Sequence, residues 1–193
     1  MLVYLHGFNS SSASLKAKQL RVRLAAMGLD ESFVAPDLSH RPQQAMATLQ
    51  AIIHSQGVEN LTLVGSSLGG YYATWLVEKH RVKAALINPA PRPYELLRPL
   101  LGPQRNLYSG EVYDLTERHL EELRLLEVPR VTRAANYLLL VQTGDELLDY
   151  REAVVKYCGA QQVIIPGGDH GFQRFEDYIG RILEFAGMRE LSS

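Results

Sequence analysis

Short apolar runs alternate with stretches in which apolar residues recur every three or four positions, and this alternation covers most of the chain. Met1–Leu5 is continuously apolar, as expected of a strand buried on both faces. Between Ser14 and Met27, Leu20, Leu24 and Met27 fall at helical spacing with Lys and Arg between them, and Gly28 suits the left-handed residue that closes a helix. Ser32–Ala35 predicts a second strand, stopped by Pro36. Ala45, Leu49, Ile52 and Ile53 predict a second helix that ends near Gly57. A third strand over Leu61–Val64, a third helix from Ser67 to His80 and a fourth strand over Val82–Ile87 follow, the last halted by Asn88-Pro89.

The rhythm then breaks. Residues 89–133 hold six of the nine prolines, with seven arginines balanced by seven acidic residues. Only Leu115–Glu127 reads as helical there, with Leu120, Leu123 and Leu126 on one side. A segment that interrupts an alternating pattern and returns to it reads as an insertion over a sheet edge, either a lid or an irregular connection. The alternation resumes with a strand over Tyr137–Val141, a helix over Asp149–Tyr157 and a strand over Gln162–Ile165. A final helix carries Phe172, Phe175, Ile179, Ile182 and Ala186 on its apolar face. The expected fold class is α/β: a mostly parallel sheet of about six strands, helices on both faces and an inserted lid-like segment. One domain over residues 1–193 is expected, since no linker divides the chain.

Composition narrows the function classes. The chain has 193 residues, 46% hydrophobic and 21% charged, which excludes disordered and fibrous classes. Twenty basic against twenty-one acidic side chains leave a formal charge of −1, without the basic excess of a nucleic-acid binder. Cys158 is the one cysteine, so no intrachain disulfide and no multi-cysteine metal site can form, and it reads as a small core residue. Met1–Gly7 lacks the basic start of a secretory signal, and the apolar run Tyr137–Val141 falls far short of the ~20 residues of a membrane span. A soluble, cytoplasmic protein is expected.

In an open α/β sheet, ligands bind beyond the carboxyl ends of the strands. The residues there are His6-Gly7-Phe8-Asn9, Gly65-Ser66-Ser67, Asn88-Pro89, Gly144-Asp145 and Gly168-Asp169-His170. Gly65-Ser66-Ser67-Leu68-Gly69 matches G-x-S-x-G between an apolar strand and an amphipathic helix, the context of a nucleophile elbow. Ser67, not Ser66, has the required spacing, and the amides of the following helix favour negative charge. Serine needs a base. His170, on a glycine-rich loop after the last strand, is placed to be one, whereas His40, His54, His80 and His119 read as surface residues. Asp145 follows a strand end and is the expected partner of His170. Its rival Asp149 suits the N-cap of the next helix, and Asp169 is expected to point into solvent. An oxyanion hole would take the Leu68 amide and a second amide from the first loop, Phe8 with Asn9 as competitor. His6 either orients that loop or is a satisfied core histidine.

These residues together resemble the α/β-hydrolase superfamily, in which the order nucleophile, acid, base matches Ser67, Asp145 and His170. More narrowly, Tyr4–Ser11, Val64–Thr74, Asn88-Pro89-Ala90, Gln142–Glu146 and Asp149-Tyr150-Arg151 resemble the small YqiA/YcfP-type bacterial esterases. The resemblance implies a serine esterase or thioesterase that works through an acyl-enzyme on a small-molecule ester or thioester, with no cofactor and no metal. A hydrolase-like binding or scaffold protein without turnover is the alternative. Asn9 and Tyr71 are candidate pocket residues, although Tyr71, Tyr72 and Trp75 can equally be core. The arginines of 89–133 would meet an anionic group or form a salt-paired surface.

Overall fold

The computed structural model describes residues 1–188; the last five residues of the expected 1–193 domain, 189–193, lie outside the described ones. The chain runs β1 (Leu2–Leu5), α1 (Leu15–Ala26), β2 (Phe33–Val34), α2 (Pro42–Gln56), β3 (Thr62–Ser66), α3 (Leu68–His80) and β4 (Lys83–Ile87). It continues through α4 (Pro93–Leu96), β5 (Gly102–Arg105), β6 (Val112–Leu115), α5 (Glu117–Arg124), β7 (Tyr137–Gln142), α6 (Tyr150–Lys156), β8 (Gln161–Ile165) and α7 (Glu176–Phe185).

Six strands form one parallel sheet in the order β2-β1-β3-β4-β7-β8. Its inner strands are largely apolar on both faces because both faces are covered. In β7, Tyr137, Leu139 and Val141 enter one core layer with α2, α3 and α6, while Leu138 and Leu140 enter the other with α1 and α7. Side chains of successive residues point to opposite faces, so a continuous apolar run satisfies two layers at once. At the end of α1, Gly28 at φ 69° lets its own amide donate to Ala25 O and the Leu29 amide to Leu24 O, closing the helix with a Schellman turn. No helix among the described residues is long and apolar enough to cross a membrane.

The inserted segment has structure that the apolar pattern did not reveal. Besides α5, it contains the short helix α4 and an antiparallel β5–β6 hairpin, in register Gly102↔Leu115 to Arg105↔Val112. Both strands are edges with alternating exposure, so neither carries an apolar run, and Pro103 is tolerated there because an edge strand need not donate on both sides. Leu115, Leu120 and Leu123 anchor the segment in the core beside α2 and α3. Its arginines are salt-paired where they meet carboxylates: Arg92 with Glu95 and Glu152, Arg98 with Glu117, Arg118 with Glu122.

Two expectations are corrected. His119 is buried rather than superficial, because its Nδ1 accepts from the Thr116 amide at 3.0 Å and caps α5. Cys158 is exposed rather than in the core, since it lies past the end of α6 and Tyr157 takes the buried position. Full burial of Leu139 in β7 predicts that Leu139→Ala costs about 2–5 kcal/mol. Urea unfolding should show the midpoint falling with the slope unchanged.

Candidate active site

All the parallel strands end on the same edge, and the loops leaving that edge meet around Ser67. Ser67 follows β3 directly and has φ 53° and ψ −116°, a conformation side chains rarely adopt. Its amide donates to Ile87 O at 3.0 Å, and its carbonyl accepts from Gly70, Tyr71 and Ala90. The surrounding glycines are sterically required. A Cβ on Gly65 would lie 2.5 Å from Gly69 O, one on Gly69 2.0 Å from Leu5 O, and one on Gly70 2.8 Å from Pro89 Cβ. The start of α3 is thereby pressed between the ends of β1 and β4. Ser66, the neighbouring serine, is buried at the end of β3.

His170 reaches Ser67 from the loop after β8. Its Nε2 lies 3.0 Å from Ser67 Oγ, and its Nδ1 lies 2.9 and 3.0 Å from the two oxygens of Asp145. The Asp145 side chain is 2% exposed, and Oδ1 also accepts from the Leu147 and Leu148 amides. Asp149 takes the other place weighed for it: it N-caps α6 by accepting from the Arg151 amide, and it chelates the Arg151 guanidinium.

The residues that hold the histidine loop were not singled out as such from the sequence. Asn88 Nδ2 donates to Asp169 O and His170 O, and its Oδ1 accepts from the Gln142 amide. Gln142 Oε1 accepts from the amides of Asp169 and Gln173, and its Nε2 donates to Gln173 O. Both side chains are buried at strand ends. A buried polar residue closing an apolar strand is the signal that could have found them. Glu146 adds an acceptor for the His170 amide at 2.9 Å. Asp169 faces solvent only in part: its Oδ2 accepts from Gln173 Nε2 at the surface, while its Oδ1 is enclosed.

On the opposite side lies the loop after β1. A Cβ on Gly7 would touch Ser67 Cβ at 3.4 Å, so this backbone runs against the serine. Among the described residues the fold supplies no hydrogen-bond acceptor to the amides of Phe8 or Leu68. Asn9, at φ 53°, spends its side chain on the β5–β6 hairpin. Phe8, Asn9, Leu68, Tyr72 and Tyr113 line a cavity of about 30 Å³. Tyr71 does not line it, which corrects its expected place: it is buried, and its hydroxyl donates to Leu123 O at 2.8 Å beneath the insertion. The next residue, Tyr72, faces the cavity instead.

The profile of an uncharacterised protein family, UPF0227, matches residues 1–187. The chain belongs to the UPF0227 family. A UPF0227 protein of Pasteurella multocida (strain Pm70), PM0825, is 25% identical over 96% of this chain and 98% of its own length. Among solved structures, mouse alpha/beta hydrolase domain-containing protein 10 superposes with a TM-score of 0.69 at 15% identity, over 95% of this chain and 89% of that one. Est1E from Butyrivibrio proteoclasticus gives 0.64 at 18%, over 96% and 88%. The esterase domain of a Rhodothermus marinus protein gives 0.62 at 20%, over 94% and 83%. These likenesses establish the α/β-hydrolase fold.

Around this UPF0227 site, burial shifts several titratable groups. Burial pushes the Tyr4 and Tyr113 phenols up to about 12, so both stay neutral; Tyr113 donates to Asn9 Oδ1, and Tyr4 accepts from Ser14 Oγ. The two readings of His6 prove compatible, since it is buried and satisfied and also orients the loop. Its Nε2 accepts from the Leu38 amide at 3.0 Å, which leaves Nδ1 to donate to Gly7 O at 2.9 Å. Burial lowers its pKa below the ordinary 6.5, and burial lowers His119 and His80 likewise.

Two outcomes follow for this UPF0227 protein. Gly69→Ala should prevent folding, because its Cβ would overlap backbone that cannot move; loss of the cooperative transition by circular dichroism checks this. As pH falls through 6.5, the unfolded chain binds a proton at His6 before the native chain does. Stability therefore falls with falling pH until the depressed native pKa is passed. His6→Asn, which keeps a donor for Gly7 O, should show a shallower fall in urea midpoint between about pH 6.5 and 5.

Proposed function

We propose that this protein is a serine hydrolase of carboxylic esters or acyl thioesters. The observation that carries the reading is His170 bridging Ser67 Oγ through Nε2 and the buried Asp145 carboxylate through Nδ1. In this reading Asp145 keeps the Nδ1–H tautomer, so the lone pair of Nε2 faces the serine hydroxyl.

Ser67 Oγ attacks the acyl carbon and gives its proton to Nε2 of His170. The carbonyl oxygen takes the negative charge and accepts from the amides of Leu68 and Phe8, whose hydrogen-bonding capacity the fold leaves unspent. Collapse breaks the ester or thioester bond, and the imidazolium protonates the departing alcohol or thiol. Water then attacks the acyl-serine as His170 accepts its proton. The second collapse releases the acid and returns the proton to Ser67. The imidazolium that forms twice is stabilised by Asp145, whose own burial is offset by the Leu147 and Leu148 amides.

The cavity beside Phe8 and Leu68 suits the acyl group. The alternative of a binding protein without turnover is decided by the same experiment. A fluorophosphonate should add one adduct to Ser67 by intact mass and peptide mapping, greatly slowed in His170→Ala. Ser67→Ala should fold normally and lose turnover of 4-nitrophenyl acetate by about 10⁴-fold or more, and Asp145→Asn by about 10⁴-fold. Ester turnover by Ser67→Ala near that of the unaltered protein, or no adduct on the folded protein, would sink the assignment.

A further inference from the structure

We propose that the β5–β6 hairpin is a positioning device for the loop that carries the Phe8 amide, with Tyr113 as its principal positioning residue. This rests on the hydrolase reading above and goes beyond it, because no residue of the hairpin touches the reacting atoms.

The loop between Gly7 and Ser10 has little to hold it locally. Within it, the one backbone hydrogen bond is Ser10 N to Gly7 O at 3.4 Å, and His6 fixes only its first carbonyl. Asn9 at φ 53° is in a conformation that costs about 1–3 kcal/mol unless the surroundings enforce it. The enforcement comes from the hairpin. Tyr113 Oη donates to Asn9 Oδ1 at 2.7 Å, and Asn9 Nδ2 donates to Gln104 Oε1 at 3.2 Å. The Leu107 amide donates to Asn9 O at 3.0 Å, and Asn106 Nδ2 donates to Ser10 O at 2.9 Å. Asn9 therefore has both side-chain ends and its carbonyl bound to an element about a hundred residues further along the chain.

The hairpin end of these contacts is itself rigid. His40 stacks on the Tyr113 ring at 4.2 Å and 14°, fixing the plane from which the hydroxyl projects. Asn106 Oδ1 accepts from Tyr108 N and Ser109 N, which locks the amide that reaches Ser10. Gln104 Nε2 donates to Leu100 O. Asn9 adjoins Phe8, so a shift of Asn9 moves the Phe8 amide, and donor placement within a fraction of an ångström sets how well an oxyanion is stabilised.

The test is steady-state kinetics on a short-chain ester, with inhibition by a boronic acid that forms a tetrahedral adduct with the serine. Tyr113→Phe should lower kcat about 10-fold, less than the ~10²–10³-fold of deleting a donor. KM and Tm should be nearly unchanged, and the boronate inhibition constant should rise by the same factor. Gln104→Ala should move the same quantities in the same direction, which keeps the test decisive if Tyr113→Phe does not fold. Val112→Ala, an exposed hairpin residue that does not reach the loop, should behave as the unaltered protein. Unaltered kcat and boronate inhibition in a folded Tyr113→Phe or Gln104→Ala would overturn the inference alone. Absence of Ser67-dependent turnover in the unaltered protein would overturn the hydrolase reading and this one with it.

Discussion

The close approach of three backbones at Ser67 is the constraint on which the rest of the site depends. Strand β3 must turn into α3 within a single residue, and that residue takes φ 53°. Such a conformation persists only where the surroundings over-determine it. Here they do: the first turn of α3 is wedged against Leu5 O on one side and Pro89 on the other, at separations no side chain would permit. Gly65, Gly69 and Gly70 are thus a packing requirement rather than a source of flexibility. The same wedge brings β1, β3 and β4 to a common edge, so the loops leaving them converge without further adjustment.

The two sides of Ser67 are held by different means. On the histidine side, buried amides at the ends of β4 and β7 bind the backbone of the loop. Asn88 and Gln142 are anchored in the middle of the sheet, and Gly144 packs so closely on Gly168 O that a Cβ there would lie 2.4 Å away. A buried amide with every hydrogen-bonding group spent is costly to disturb, because displacing the loop strands several donors and acceptors at once. On the other side His6, at the end of β1, holds only the first carbonyl of the loop, and beyond Gly7 the loop leans on an inserted hairpin. One side is fixed by the core of the fold and the other by an appendage.

This division also explains what could be read in advance. The inner strands β1, β3, β4 and β7 were legible because burial on both faces makes them largely apolar, and Ser67, Asp145 and His170 because each follows a strand within a few residues. The hairpin was not, since Gly102–Arg105 and Val112–Leu115 alternate exposure over only four residues each and contain a proline. Tyr71 and Tyr72 could not be told apart because α3 is buried nearly all round, so adjacent positions carry no sign of which faces the cavity. Asn88, though placed at a strand end, and Gln142 carried no assigned role, because one polar residue at a strand end looks in sequence like the start of any loop. What local pattern conveys is burial; what it omits is which backbone a side chain reaches.

The physical consequence is that the strained turn at Ser67 and the wall of the cavity beside it are set by different parts of the chain. The elbow, the histidine loop and the Asp145 turn are set by sheet geometry, and any change there meets the close packing of Gly65, Gly69 and Gly144. The cavity next to the serine is different, because Tyr113 comes from the hairpin, Tyr72 from α3 and Phe8 from the loop between them. Changes in the hairpin can reshape that wall without touching the strained turn at Ser67. An insertion with this placement can alter the cavity wall and the loop that carries the Phe8 amide while the turn at Ser67 keeps its geometry.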